Sequence, residues 1–510
     1  MKLGLHILDS VFLVSKGIMK LKDINFGSSD GQHEAKEQNF SEMFYEDGGH
    51  YTELRDTRKY IVVGRKGTGK TTLAAYAFLQ AEKKKNHLSK QLFANDFIQK
   101  KLLSFAQNEI NREENSLFWE YVFLLDIGQT LTDFYNELPF YSPTKIINKK
   151  MFIKLNEILE QEHLRIESLV SSSGYESSIS GGAAAGVKTS VSIDSKTSTK
   201  ESETVTKIRS KYYEVLPKLR KMTLDLLIKS KQSLILFYDD MDQFEESISY
   251  DYFMSLMKNM IYSADRLNGI ISEYNNSKIC LILRKDIVDA LQHQTNNLNK
   301  QITDSGIEIH WFNTVKEPSE HPLMQMVLHK IKNSGKQYKE TDLKEIYSEM
   351  FDGGTFGFLM ERGFGRPRDI IQYLNLCKKA FPDSEKITIN LLKKVEQTYS
   401  EWFFNELLNE LAISEAKDDI EEIFKVITKR GYPTFKFKKL KSFINDNPEY
   451  SIDDIKLFEV LSIMREYSIL GIIQKGKIFD FKYRTGYSVQ ISEFSNFVVH
   501  RGLRKYLNLP

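Results

Sequence analysis

The chain has 510 residues, 41% of them hydrophobic and 27% charged, with a formal net charge of +2. A single hydrophobic core stops growing at roughly 250–300 residues, so a chain of this length is expected to form roughly two to four domains. The near balance of charge excludes a protein that grips nucleic acid with its whole surface, and any such contact needs a local patch.

The first 18 residues look superficially like a short signal peptide, but Asp9 interrupts the apolar run and no small-residue cleavage site follows. No stretch approaches the roughly 20 apolar residues of a membrane span. The two cysteines, Cys280 and Cys377, sit in apolar runs. They fit buried thiols in a reducing compartment better than a disulfide or zinc framework. A cytoplasmic protein is expected.

Residues 1–50 form an N-terminal segment; residues 20–58 are mixed and polar, with FGSSDGQHE as a loop cluster. Lys59–Val63 is a short buried strand by its β-branched run. Thr71–Lys84, with Ala74, Ala75, Ala77 and Leu79, favours a helix. Residues 85–230 are mostly helical in pattern, with apolar faces over Leu117–Phe134 and Lys211–Lys229. Between these faces, residues 168–206 are rich in Ser, Thr, Gly and Ala and read as a flexible tract. Val187–Asp194 alternates there as a small hairpin would. Ser233–Tyr238 and Lys278–Leu283 are two further buried strands, separated by a helix over Tyr250–Tyr274. Helical pattern runs from Trp311 to about residue 400. The last hundred or so residues carry helices at Glu421–Arg430 and Ile452–Ile469, then β-like runs at Ile469–Gln474 and Lys477–Tyr483. The expected organisation is a core over 51–310 that includes a helical insertion (85–230), a helical lid over 311–400, and a winged-helix-like domain over 401–510.

The chemistry is concentrated in Gly64-Arg65-Lys66-Gly67-Thr68-Gly69-Lys70-Thr71, which fits the P-loop pattern G-x-x-x-x-G-K-[ST]. Glycines let the backbone wrap phosphate oxygens with its N–H groups, and the following helix aims its positive end at the anion. Lys70 is expected on the β- and γ-phosphates, the Thr71 hydroxyl on Mg²⁺, and Thr72 beside them. The motif lies between a predicted strand and a predicted helix, as the chemistry requires.

A metal-bound nucleotide needs an acid at the end of a neighbouring strand. The run Leu234–Tyr238 ends in Asp239, Asp240 and Asp242. Asp239 is placed to hold Mg²⁺ through its water shell. Asp240 is placed to take the proton of an attacking water. Asp242 is expected to meet a neighbouring loop or subunit. Lys70 and Asp239 are 169 positions apart, which implies a large insertion between them. Arg284, ending the Lys278–Leu283 strand, is expected to sense the γ-phosphate. Gly365-Arg366-Pro367-Arg368-Asp369 opens an amphipathic helix over Ile370–Ala380. Its Arg368 or Arg366 is expected on phosphate, with Pro367 packed near the nucleotide. The arginine finger is open between Arg266 and Arg362. Ile179–Ala183 mimics a transporter-ATPase signature, but it lies nearly sixty residues before Asp239 and is set aside. No guanine-reading Asn-Lys-x-Asp motif occurs, which favours ATP.

Together these elements resemble the AAA+/STAND branch of P-loop ATPases, and more narrowly a bacterial P-loop ATPase family met near defence and mobile-element genes. The likeness rests on FGSSDGQHEA (26–35), GRKGTGKTTL (64–73), FYDDMDQF (237–244), LRKD (283–286), GRPRDIIQYLN (365–375), FDFKYRTGYS (479–488) and VVHRGLRKYL (498–507). It implies an α/β P-loop NTPase core, a helical lid and a C-terminal winged helix, with ATP and Mg²⁺ as ligands. It also implies a slow, switch-like ATPase that is closed with ADP, opens with ATP and often assembles into a homo-oligomer. On this reading the chain is a regulator or effector component in bacterial anti-phage defence. A partner protein encoded nearby, or the helical insertion, supplies the sensing and effector functions. Arg284 departs from many such proteins in lacking a preceding Thr-Thr or Thr-Ser pair. The alternative is an origin-recognition-like DNA-binding ATPase using its winged helix. For DNA contact the sequence offers Lys436, Lys438, Lys439 and Lys441 interleaved with Phe435 and Phe437. That pattern equally suits a solvated face over buried aromatics.

Overall fold

Short apolar runs that end in a turn or an acid become parallel strands when both their faces are covered. In the computed structural model, which describes residues 19–46, 48–93, 114–172, 197–243, 248–294, 296–312, 315, 317–411, 416–450, 452–474, 479–486 and 491–510, this is the fate of the three strands predicted between residues 59 and 283. The chain divides into two units. One consists of Glu46–His310 with Gly31–Lys36, and the other of Trp311–Pro510, Glu37–Tyr45 and the chain up to Asp30. The helix Gly31–Ala35 (α1) thus belongs to the first unit, although Asp30 before it and Glu37 after it belong to the second.

The first unit is built on a five-stranded parallel sheet: Ile61–Gly64 (β1), His87–Phe93 (β2), Ser233–Asp239 (β3), Lys278–Arg284 (β4) and Gly306–Glu308 (β5), in the order β2-β3-β4-β1-β5. Lys70–Glu82 (α2) follows β1, and it begins one residue before the predicted helix. The helical reading of the chain from residue 85 is corrected at β2. This strand pairs with β3 along its whole length, from His87↔Ser233 to Phe93↔Asp239. Six of its seven residues are only half-buried and it contains no β-branched residue, so pairing rather than intrinsic preference makes it a strand.

The insertion contributes directly to the core of this unit. Glu114–Glu137 (α3) shares one core with the sheet and with Tyr250–Ile271 (α6): Trp119, Val122, Phe123, Leu236, Tyr238, Met257 and Leu281 are all buried in it. The Trp119 indole N–H donates to the Leu256 carbonyl (2.9 Å). The Tyr238 hydroxyl donates to Asp126 (2.6 Å), and burial together with Asp126 pushes its pKa well up. Pro143–Ser172 (α4) and Thr197–Ser230 (α5) pack on α3 and on each other. The stretch at 187–194, read as part of a flexible tract with a small hairpin as the alternative, and the transporter-like stretch at 179–183 lie outside the described residues.

The second unit holds helices Pro322–Ser334, Leu343–Met350, Thr355–Met360, Pro367–Ala380 (α7) and Ile389–Leu411 (α8). It also holds an antiparallel sheet of Thr434–Lys436 (β6), Leu470–Ile473 (β7), Phe479–Asp480 (β8) and Asn496–Val499 (β9), in the order β6-β9-β7-β8. Neither β6 nor β9 is legible in the sequence. The expected run Lys477–Tyr483 is cut short after Asp480, where a helical turn begins at Lys482. Phe435 and Phe437 are buried, Lys438 pairs with Glu493, and Lys441 pairs with Asp454. Both cysteines are buried free thiols, each pushed up to about 12, chiefly by burial. Among the described residues no helix is long and apolar enough to cross a membrane.

Candidate nucleotide site

The loop between β1 and α2 is shaped by its glycines. A side chain at Gly64 would place its Cβ 2.5 Å from the Thr68 hydroxyl oxygen and 3.3 Å from the Ile309 carbonyl. Gly67 and Gly69 have φ of +80° and +89°, a region that L side chains avoid. The Thr68 hydroxyl donates to the Arg65 carbonyl (2.8 Å), which braces the bend. Arg65 and Lys66 are half-buried alongside. The Lys70 ammonium donates to the Gly64 (3.0 Å) and Arg65 (3.2 Å) carbonyls, so it lies along the loop that the motif assigns to phosphate. Burial pulls the Lys70 pKa down, while Asp242 and Asp239 pull it back up.

Register brings the other groups to the same edge. Gly64 pairs with Arg284 across β1 and β4, and β4 pairs in parallel with β3, so three strand ends carrying the P-loop, Asp239 and Arg284 lie side by side. The carboxyl end of a parallel sheet is where such folds bind ligands. Asp239 is 1% exposed. It accepts from the Thr71 hydroxyl, from the Asp240 N–H (2.9 Å) and, at 3.5 Å, from the Gln91 amide. Burial first, and the charge of Asp240 second, push its pKa up to about 7; Thr71, Lys70 and the Asp240 N–H oppose this. A hydroxyl and a carboxylate in mutual contact suit Mg²⁺, which typically takes one or two protein oxygens and fills its octahedron with phosphate and water.

Asp240 has a φ of +57°, in the left-handed region that residues other than glycine seldom adopt. Its carboxylate accepts from the Gln32 side-chain amide (2.6 Å). Asp242 does not depend on a neighbouring subunit for its partner, as the sequence reading allowed: Arg284 of the same chain donates to it (3.2 Å). Arg284 also grips Asp286 with two donors (3.1 and 2.5 Å), and only 10% of its side chain is exposed.

The remaining predicted residues have partners of their own. Pro367 occupies the first turn of α7 in the second unit, and the helix therefore starts three residues before the predicted Ile370. Arg366, 1% exposed, is held between Asp369 (2.8 Å) and Glu410. Burial opposes its charge, but the two carboxylates more than offset this and raise its pKa. Arg368 pairs with Glu406 (2.7 Å) and donates to the Ser29 carbonyl (3.0 Å). Arg266 pairs with the buried Glu120, and Arg362 pairs with Glu396 (2.5 Å).

Sequence reasoning missed Gln32, Gln91 and Asp286. Gln32 lies 208 positions from Asp240. No local pattern announces that contact, although the FGSSDGQHEA run contains the residue.

Residues 321–408 match the family described as the FunZ-associated C-terminal helical domain, a stretch that spans α7 and most of α8. No curated protein matches the chain. Among solved structures, Cdc6p from Pyrobaculum aerophilum aligns over 88% of this chain and 86% of that chain, with 10% identity and a TM-score of 0.31. At that level the alignment fixes neither fold nor activity.

Proposed function

We propose that the chain binds Mg²⁺ and ATP at Gly64–Thr72 and hydrolyses the nucleotide slowly, as a conformational switch that works in a homo-oligomer. The observation that supports this best is the convergence of Lys70, Thr71, Asp239 and Arg284 on one edge of the sheet, with Asp240 next in the chain. In this reading the loop N–H groups and Lys70 take the phosphates. Thr71 and Asp239 would hold Mg²⁺, which would supply positive charge to the phosphates. Asp240 takes a proton as water oxygen bonds to the γ-phosphorus and the bond to the bridging oxygen breaks, leaving ADP and phosphate. Arg284 reports on the γ-phosphate by exchanging Asp242 for it. Pro367 and Arg368 stay in the proposal as lid residues on sequence grounds. A winged helix is our reading of the helix Lys417–Arg430, β6, two helices and then β7–β9. A place in bacterial defence rests on sequence resemblance alone.

The switch is tested by mass photometry of the full chain with ADP and with a slowly hydrolysed ATP analogue. Larger species with the analogue are expected. Identical distributions with both nucleotides would remove the switch.

A further inference from the structure

Hydrolysis requires the base to face the attacking water, and the backbone at Asp240 does not secure this by itself. With φ at +57° the residue sits in a conformation that costs a non-glycine residue about 1–3 kcal/mol and persists only where its surroundings hold it. Several contacts hold it, among them the Gln243 N–H, which donates to its carbonyl (3.1 Å). The Asp240 N–H donates to Asp239 Oδ1 (2.9 Å), and Gln32 Nε2 donates to Asp240 Oδ2 (2.6 Å). An ionised carboxylate only accepts, so the Gln32 amide must present its NH₂.

Helix α1 is itself seated on the P-loop helix. A Cβ at Gly31 would lie 3.0 Å from the Thr72 hydroxyl oxygen and 3.2 Å from Thr71 Cβ, so only glycine lets α1 approach this closely without displacement. The base of the Gln32 side chain is therefore fixed relative to the residues assigned to phosphate and metal, and its far end fixes one oxygen of Asp240. A carboxylate with one oxygen tied has its second oxygen aimed.

We propose that Gln32 is a positioning residue for hydrolysis, its side-chain amide orienting the Asp240 carboxylate toward the attacking water. The inference rests on Asp240 being the base. Gln32 takes no part in proton transfer and contacts no phosphate in this scheme, so it acts on kcat and leaves nucleotide affinity unchanged.

The test is steady-state and single-turnover hydrolysis of Mg·ATP by the full chain carrying Gln32→Met, which keeps length and volume but removes the donor. Gln32→Ala serves as a second variant, and both are repeated in an Asp240→Asn background. General-base catalysis contributes about 10²–10⁴-fold, and misdirecting the base forfeits part of that. A fall in kcat of about 10–100-fold is therefore expected, with KM and nucleotide affinity within about twofold. Neither Gln32 variant should slow the Asp240→Asn protein further. Unchanged kcat in both Gln32 variants would overturn the proposal, and so would a matching loss of affinity or an additive loss in the Asp240→Asn background. If Asp240→Asn alone turned over at the wild-type rate, the base assignment would fall and the Gln32 role with it. Wild-type Asp240 dependence with Gln32 variants that behave normally would overturn the Gln32 role alone.

Discussion

Replacing Asp239 by asparagine separates what this buried carboxylate does for the nucleotide from what it does to the fold. Burial and the adjacent Asp240 raise its pKa to about 7, above the roughly 3.9 of an unfolded aspartate. The folded chain therefore holds this proton more tightly than the unfolded chain does. Stability contributed here is complete below the unfolded pKa and is lost as pH rises toward the folded one. Asparagine keeps an acceptor for the Thr71 hydroxyl and the Asp240 N–H, and it removes the charge. In the absence of nucleotide at pH 8, Asp239→Asn should be more stable than wild type by about 1–3 kcal/mol, the range of relieving a buried like-charge contact. A unit of this size shifts in Tm by about 2–4 °C per kcal/mol. At pH 5, where the wild-type group is already protonated in the folded state, most of the difference should vanish. Mg·ATP should cancel most of this advantage or reverse it at pH 8, because ligand at about 100 times its Kd adds about 2.7 kcal/mol to the protein that binds it and less to a variant without the metal-holding carboxylate. Thermal unfolding at both pH values, with and without Mg·ATP, reads all of this. A variant less stable than wild type at pH 8 without nucleotide, or a difference of the same size at pH 5, would refute the reasoning.

Three other substitutions probe separate parts of the account. Gly69→Ala meets no atom within 4 Å, so its penalty is the left-handed backbone alone, about 1–2 kcal/mol. If the loop relaxes out of this conformation without nucleotide, calorimetry should show ATP affinity falling by about 5–30-fold. Gly64→Ala, whose Cβ meets Thr68 and Ile309, should in addition lower Tm without nucleotide. Arg284→Lys keeps the charge but loses the two-donor grip on Asp286; the ratio of ADP to ATP dissociation constants should move toward one while ADP affinity is kept. At the opposite end of β4, the Lys278 ammonium donates to the carbonyls of Leu54, Asp56 (3.1 Å) and Lys59 (2.9 Å). Lys278→Met would leave these acceptors without that donor and should cost about 2–4 kcal/mol in urea unfolding, with nucleotide affinity unchanged.

The parts of this site legible in the sequence are those that local chemistry encodes. Gly64–Thr71 is readable because phosphate binding demands glycines, a lysine and a hydroxyl at fixed spacing. β1, β3 and β4 are readable because strands in the middle of a parallel sheet are continuous apolar runs. β2 lies at the sheet edge, half-exposed and without β-branched residues, and only its pairing with β3 defines it. Leu117–Phe134 shows helical periodicity, but periodicity does not say that the face will close the core beside Tyr238 rather than stand apart from it. Arg366 shows the same limit. Beside a Gly and a Pro it suits a phosphate contact, yet its carboxylate partners include Glu410, 44 positions away, and the three are buried together. Gln32 is the extreme case, since its meaning lies wholly in a residue 208 positions distant.

The central claim is that these residues form a hydrolysis site and not only a binding site. Single-turnover measurement of phosphate release from Mg·ATP, with nucleotide affinity measured on the same samples, tests it most directly. Wild type should release phosphate, and Asp240→Asn should bind ATP within about twofold of wild type while its release rate falls by about 10²-fold or more. Equal release by the two proteins, or none by wild type under conditions where ATP is bound, would contradict the account.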